Sequence, residues 1–148
     1  MKLIKICLYL FFFFLLFASF QEVYAKTIAV IANVRYPKES VSIRDIKDIY
    51  TGDKLIDAGL KIKPVDQIDD TEIKKLFLKS VLHISISDYN SFWIQRLFQR
   101  GGIPPKIKED SEDVIRFVSA NDTGIGYVWL EEVEGKDKIK ILLKIDVK

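Results

Sequence analysis

Between Thr27 and Val34 the chain is almost unbroken in small, apolar and β-branched residues, and Pro37 closes the run. A short run with no helical spacing predicts a buried strand, central in its sheet. Ile43, Ile46, Ile49 and Tyr50 then recur at helical spacing behind Ser42, with Asp45 three residues after it. Ser42 and Asp45 read as a capping box with Asp in place of the usual Glu or Gln, and Gly52 suits the left-handed position that ends a helix. Gly59 marks a turn before Leu60–Val65, a strand that Pro64 confines to an end or an edge. Asp69 and Asp70 offer capping oxygens to a second helix with Ile73, Leu76 and Phe77 on one face. A third helix is read from Ser87, with Tyr89, Phe92, Trp93 and Leu97 in one stripe, and it stops at Gly101 and Gly102; Pro104 and Pro105 keep the chain extended. Ser111 opens a fourth helix that buries Val114, Ile115 and Val118, Gly124–Trp129 returns as an apolar strand, and Lys138–Val147 alternates weakly as an edge strand. Strands alternating with helices give an α/β class, a mixed or parallel sheet flanked by helices.

The first 25 residues change the picture from fold to address. Lys2 and Lys5 precede an apolar run from Ile6 to Phe17, and Val23 and Ala25 supply small residues before a cut after Ala25. That is the layout of a secretory signal, with residues 26–148 as one mature domain. An uncleaved anchor is the rival reading, though the run falls short of the roughly 20 residues of a full span. Cys7 is the only cysteine, so the mature domain has no disulfide and no thiol nucleophile. With 23 basic and 21 acidic residues in the chain, the charges nearly balance, and nothing asks for nucleic acid or a charged membrane surface.

Enzymatic chemistry finds little support. A nucleophile needs a base within reach, and the single histidine, His83, lies between Leu82 and Ile84 near a helix end. No carboxylate spacing matches a calcium loop, and one histidine without a mature cysteine leaves no transition-metal cluster. Gly124 and Gly126 precede a strand, the reverse of a dinucleotide fingerprint. Tyr89, Phe92 and Trp93 are core residues or a ligand platform, and Glu131–Lys138 is a solvated loop or a docking surface.

The candidate binding segment is Asp66 to Phe77, where polar residues join a strand to a helix. Unpaired amides at a helix N-terminus attract anions, and the Thr71 hydroxyl adds a donor. Asp69 repels most anions but accepts a hydrogen bond from one that keeps a proton, such as hydrogen phosphate. The plainer alternative leaves Asp69 and Asp70 as helix caps alone.

Several colinear stretches resemble the second lobe of phosphate-binding proteins that serve ABC transporters, within the type II periplasmic-binding fold. They are Asn33 at the end of the first strand, I-Y-T-G-D-K at Ile49–Lys54, D-A-G at Asp57–Gly59, G-G-I-P-P at Gly101–Pro105 and G-I-G-Y-V at Gly124–Val128. The resemblance spans about Ile28 to Val128 and implies a single three-layer lobe, with no residues here for the other lobe of a two-lobe clamp. The family's ligand motif reads Arg, any, Asp, Gly, Ser, Gly, Thr, then an aromatic residue. Setting that aromatic on Phe77 places Gln67 at the arginine, Asp69 at the aspartate, Thr71 at the serine, Glu72 at the second glycine and Ile73 at the threonine. The resemblance thus implies an oxyanion site at Gln67, Asp69 and Thr71 that has lost its charged fork, worth about 1.5–3 kcal/mol for a charge-assisted bond. It implies no cofactor, no metal and no reaction. Two functions remain: a periplasmic or secreted solute-binding-like protein working with a membrane permease, or a lobe kept as an interaction or sensory module that docks to a receptor or to itself.

Overall fold

The computed structural model describes residues 25–147; Cys7 and all but the last residue of the segment read as a secretory signal lie outside them. Seven strands and four helices follow in the order β1 (Lys26–Asn33), α1 (Ile43–Tyr50), β2 (Ile56–Asp57), β3 (Leu60–Lys61), β4 (Lys63–Gln67), α2 (Glu72–Val81), α3 (Ile86–Gln99), β5 (Lys106–Lys108), α4 (Ser111–Ala120), β6 (Gly124–Trp129) and β7 (Ile139–Val147). A 3-10 turn at Leu130–Val133 separates β6 from β7. No helix of the described residues is long and apolar enough to cross a membrane.

Five strands form one mixed sheet in the order β5-β4-β6-β1-β7, and β2 and β3 make a separate two-stranded hairpin. β1 runs antiparallel to both its neighbours, whereas β4 is parallel to β5 and β6. Alternation along β1 sends Ile28, Val30 and Ala32 to one face and Ala29 and Ile31 to the other. The first set packs with Ile46, Ile49, Phe77, Leu78, Tyr89 and Trp93 of α1, α2 and α3. The second packs with Val114, Ile115 and Val118 of α4. Both faces of the sheet are therefore covered, which explains why β1 reads as a continuous apolar run.

The capping box at Ser42 and Asp45 forms, and Gly52 takes a φ of 74° just after α1. Other local readings need correction. β4 begins at Lys63, because Leu60–Lys61 pair with β2 instead, and of the two places open to Pro64 it takes the end of a strand: β5 pairing begins only at Val65, leaving no donor needed beside the proline. α3 starts at Ile86 with Ser85 as its cap, one turn position ahead of Ser87, because Ser85 and Asp88 complete a capping box. Leu97 lies on the exposed side of α3 and Phe92 is half-buried, so only Tyr89 and Trp93 of that stripe are fully in the core. His83 has a φ of 60° and sits one residue beyond the Leu82 C-cap, so it is the left-handed residue that ends α2.

Gly126 in β6 leaves no room for a side chain between α4 and β4. A Cβ there would stand 2.5 Å from Val114 Cγ1 and 2.9 Å from Val65 Cγ2, in a core with no slack. Gly126→Ala is expected to destabilise the lobe by about 1–3 kcal/mol, read as a lower urea midpoint at unchanged m-value.

Candidate functional site

The β4–α2 junction, singled out by the sequence, contains a buried ionic ladder. Alternation along β4 turns Val65 toward α4 and Asp66 toward α2 and α3. Lys74, in the first turn and a half of α2, reaches back and places Nζ 2.9 Å from Asp66 Oδ2 and 2.8 Å from Asp69 Oδ1. The other Asp69 oxygen accepts a 2.7 Å hydrogen bond from Asn90 Nδ2 on α3. Asp66 also accepts from the Tyr127 hydroxyl of β6 and, at 2.8 Å, from the Gln67 amide. Asp66 and Lys74 are each only 1% exposed. Isolated burial of either charge would cost several kcal/mol, so each is retained only because the other, with its hydrogen bonds, is in place.

Aromatic residues close the ladder from the core side. The Phe77 and Tyr127 rings stack with centroids 3.9 Å apart, and Tyr50 meets Phe77 edge-on at 4.8 Å. The Tyr50 hydroxyl donates to the Val65 carbonyl and the Tyr89 hydroxyl to the Tyr50 carbonyl, at 2.7 and 2.9 Å. Burial first, then the Asp66 charge, pushes the Tyr89 phenol above its ordinary range, so it serves as a hydrogen-bond donor throughout the physiological span.

The three candidate ligand residues are placed differently from one another. Gln67 is buried with its amide turned to the α4 side, donating to the Tyr127 carbonyl at 3.0 Å and lying 3.5 Å from Ser111 Oγ. Asp69 has both oxygens engaged by Lys74 and Asn90. Thr71 is the N-cap of α2, yet its hydroxyl donates to the Ile68 carbonyl at 3.0 Å and no side chain caps the helix. The capping role expected of Asp69 and Asp70 is therefore not taken up, because Lys74 and Asn90 claim Asp69. Asp69 and Thr71 share one loop, whereas the Gln67 side chain faces the other side of the sheet.

Three members of the ladder, Asp66, Lys74 and Asn90, lie outside the candidate ligand set, although Asp66 and Lys74 belong to the segment that holds it. Lys74 did carry a signal. It lies on the buried face of α2 with Ile73, Phe77, Leu78 and Val81, where a lysine needs a buried partner. Beside the ladder a cleft of about 390 Å³ opens between α3 and the chain leading into β5, with Tyr89, Trp93 and Ile94 on one wall and Pro104, Pro105 and Ile107 on the other. A broader open groove of about 710 Å³ runs past Lys75, Lys79 and His83 toward the start of α3. Among the described residues no group of three or more His, Cys, Asp or Glu is arranged to hold a metal ion.

No family model matches the chain, and no curated protein matches it by sequence. Solved structures do. A Clostridium perfringens protein described as a phosphate ABC transporter substrate-binding protein, with phosphate bound, aligns at 20% identity and a TM-score of 0.64, over 79% of this chain and 44% of its own. An ABC-type phosphate transport receptor from Vibrio cholerae aligns at 13% and 0.62, and PstS from Borrelia burgdorferi at 16% and 0.60, over 45% and 46% of their chains. The chain thus spans less than half the length of these structures and has the fold of a single lobe of phosphate ABC transporter substrate-binding proteins, a mixed sheet flanked by helices.

Two outcomes follow from the ladder. Lys74→Met leaves Asp66 buried without its counter-ion and is expected to cost about 3–5 kcal/mol, whereas adding Asp66→Asn restores part of that loss; urea denaturation of the single and double variants measures the coupling. The hydrogen bond from Lys74, then that from Asn90, holds Asp69 below the usual carboxylate range. A lowered folded-state value stabilises above the unfolded value near about 4 and is lost as pH falls through the folded one. Asp69→Asn should accordingly flatten the fall in stability below about pH 4 without abolishing it, since Asp45 and Asp53 are lowered too.

Proposed function

We propose that the chain is an exported, non-enzymatic, solute-binding-like lobe that works by docking to another protein of the cell envelope. The supporting observation is that Lys74, the buried cation at the β4–α2 junction, is already shared by Asp66 and Asp69. Lys26 answers Glu72 nearby, and Asp70 adds a further carboxylate. A phosphate brought here would find like charges: two about 4 Å apart repel by about 4 kcal/mol near a protein surface. One hydrogen bond from a hydroxyl or amide returns about 0.5–1.5 kcal/mol. Repulsion wins unless the ladder opens.

Export is supported by the basic start, the apolar run and the small residues ending at Ala25. It places the lobe in the periplasm or outside the cell, where a permease or receptor is the natural partner of a substrate-binding fold. The non-catalytic reading is supported by His83, which is exposed, with Nδ1 3.1 Å from the Lys79 carbonyl.

One observation favours a second reading, in which solute capture persists. Three helices have side-chain caps at Ser42, Ser85 and Asp110, while α2 has none, with Glu72 exposed and Thr71 half-buried at its start. Hydrogen phosphate seated there would lie against Thr71 and Asp69, without Gln67, whose side chain is turned to the α4 side.

Calorimetric titration of the exported chain with phosphate separates the two. The docking reading expects no heat at millimolar phosphate. Micromolar binding that is lost in Thr71→Ala would overturn it in favour of solute capture.

A further inference from the structure

We infer that the face formed by the outer stripe of α3, residues 103–107 and the free edge of β5 receives an extended segment of a partner protein in which acidic and apolar residues alternate. This rests on the docking reading and names the surface and the chemistry of its partner.

α3 is apolar on two sides. Tyr89 and Trp93 face the core, while Ile94, Leu97 and Phe98, spaced three and four apart, face solvent. Phe98 is 88% exposed, and Ile103, just beyond the end of the helix, is 73% exposed. Ile107 continues the patch and, with Ile94 and the two prolines, lines the 390 Å³ cleft. Single exposed apolar residues are ordinary, but five within fourteen residues, two of them lining one cleft, mark an interaction surface.

The strand beside the cleft decides what kind of partner fits. β5 is the outermost strand, hydrogen-bonded only to β4 within the sheet. Lys108 offers its carbonyl to the Ile68 amide, so strand alternation turns the Ile107 N–H and C=O outward. The side chains alternate as well. Ile107 lies on the α3 side in the cleft, whereas Lys106 and Lys108 lie on the α4 side, 5.8 and 4.8 Å from the Phe117 ring centroid. A strand added along this edge would inherit that alternation, with one set of side chains entering the apolar cleft and the other passing the two lysines.

Charge selects the second set. From Tyr89 to Lys108 the sequence contains no acidic residue. Arg96 is paired with Asp53, but Arg100, Lys106 and Lys108 have no carboxylate within ion-pair distance among the described residues. A second copy of this face would set these cations against their own counterparts, which disfavours self-pairing. A lipid surface would meet the apolar stripe in one plane and leave the lysines of the opposite sheet face behind it. An alternating segment reaches both.

Selection of a randomised peptide display library on the full exported chain tests this. The expected result is enrichment of peptides with carboxylates at alternate positions and apolar residues between them. Their binding should weaken about tenfold or more in Ile107→Asp and in Lys106→Glu/Lys108→Glu, with folding verified by circular dichroism. Lysine-for-glutamate versions of the same peptides should recover binding to the doubly reversed variant. No enrichment, enrichment without alternation, or binding indifferent to these substitutions would overturn the assignment. So would sedimentation with phosphatidylglycerol vesicles, or a concentration-dependent dimer, that is lost in Ile107→Asp. Phosphate heats in the companion titration would overturn the docking reading itself; their absence together with a failed selection would overturn only the choice of surface.

Discussion

The contact on which this lobe turns is a lysine ammonium buried between two carboxylates. Lys74 ties α2 to β4 through Asp66 and to the junction loop through Asp69, and Asn90 extends the tie to α3. Helices that could slide over a flat apolar sheet are thereby pinned at one corner, because the ladder has good geometry in only one arrangement. Such a device is a weak source of net stability, since desolvation offsets most of the attraction. Its contribution is to make alternatives costly: any packing that separates Lys74 from Asp66 strands a charge in the core.

The same contact separates shape from chemistry. The lobe has the fold of phosphate-binding relatives at 20% identity or less. That fold is specified by apolar alternation in β1 and β6 and by helix faces, which tolerate broad substitution. An oxyanion site is specified by a few polar residues whose charges must sum correctly, and here the positive charge at the junction is consumed internally. A shared scaffold therefore does not by itself carry a shared site.

Much of the architecture was legible in the residues because it rests on local periodicity. The four helices, the buried first strand and the edge position of β7 follow from spacing and caps, although β6 and not β1 holds the middle of the sheet, and α4 buries the three residues expected of it. The errors lie where tertiary partners override local preference. Asp69 looked like a cap, but a lysine five residues away and an asparagine on another helix outbid the backbone amides. Pro64 allowed a strand end or an edge, and only the staggered start of β5 decides for the end of an interior strand. Asp66 and Lys74 were hidden because a pair between strand and helix has no fixed spacing, although a lysine within the apolar stripe of α2 was visible.

β1 lies between β6 and β7, so the earliest strand of the lobe finds both partners in the last stretch of the chain. Thr27 and Asp146, which hydrogen-bond at 2.7 Å across that pairing, are 119 positions apart. Ordered in time, this makes assembly a closing step instead of a growing one: β1 has no neighbour in the sheet until β6 and β7 reach it. Through that interval an apolar, β-branched strand has two open edges. The vulnerable interval of the lobe is therefore the one before β6 and β7 close on that strand, when whatever shields its edges decides whether the sheet forms.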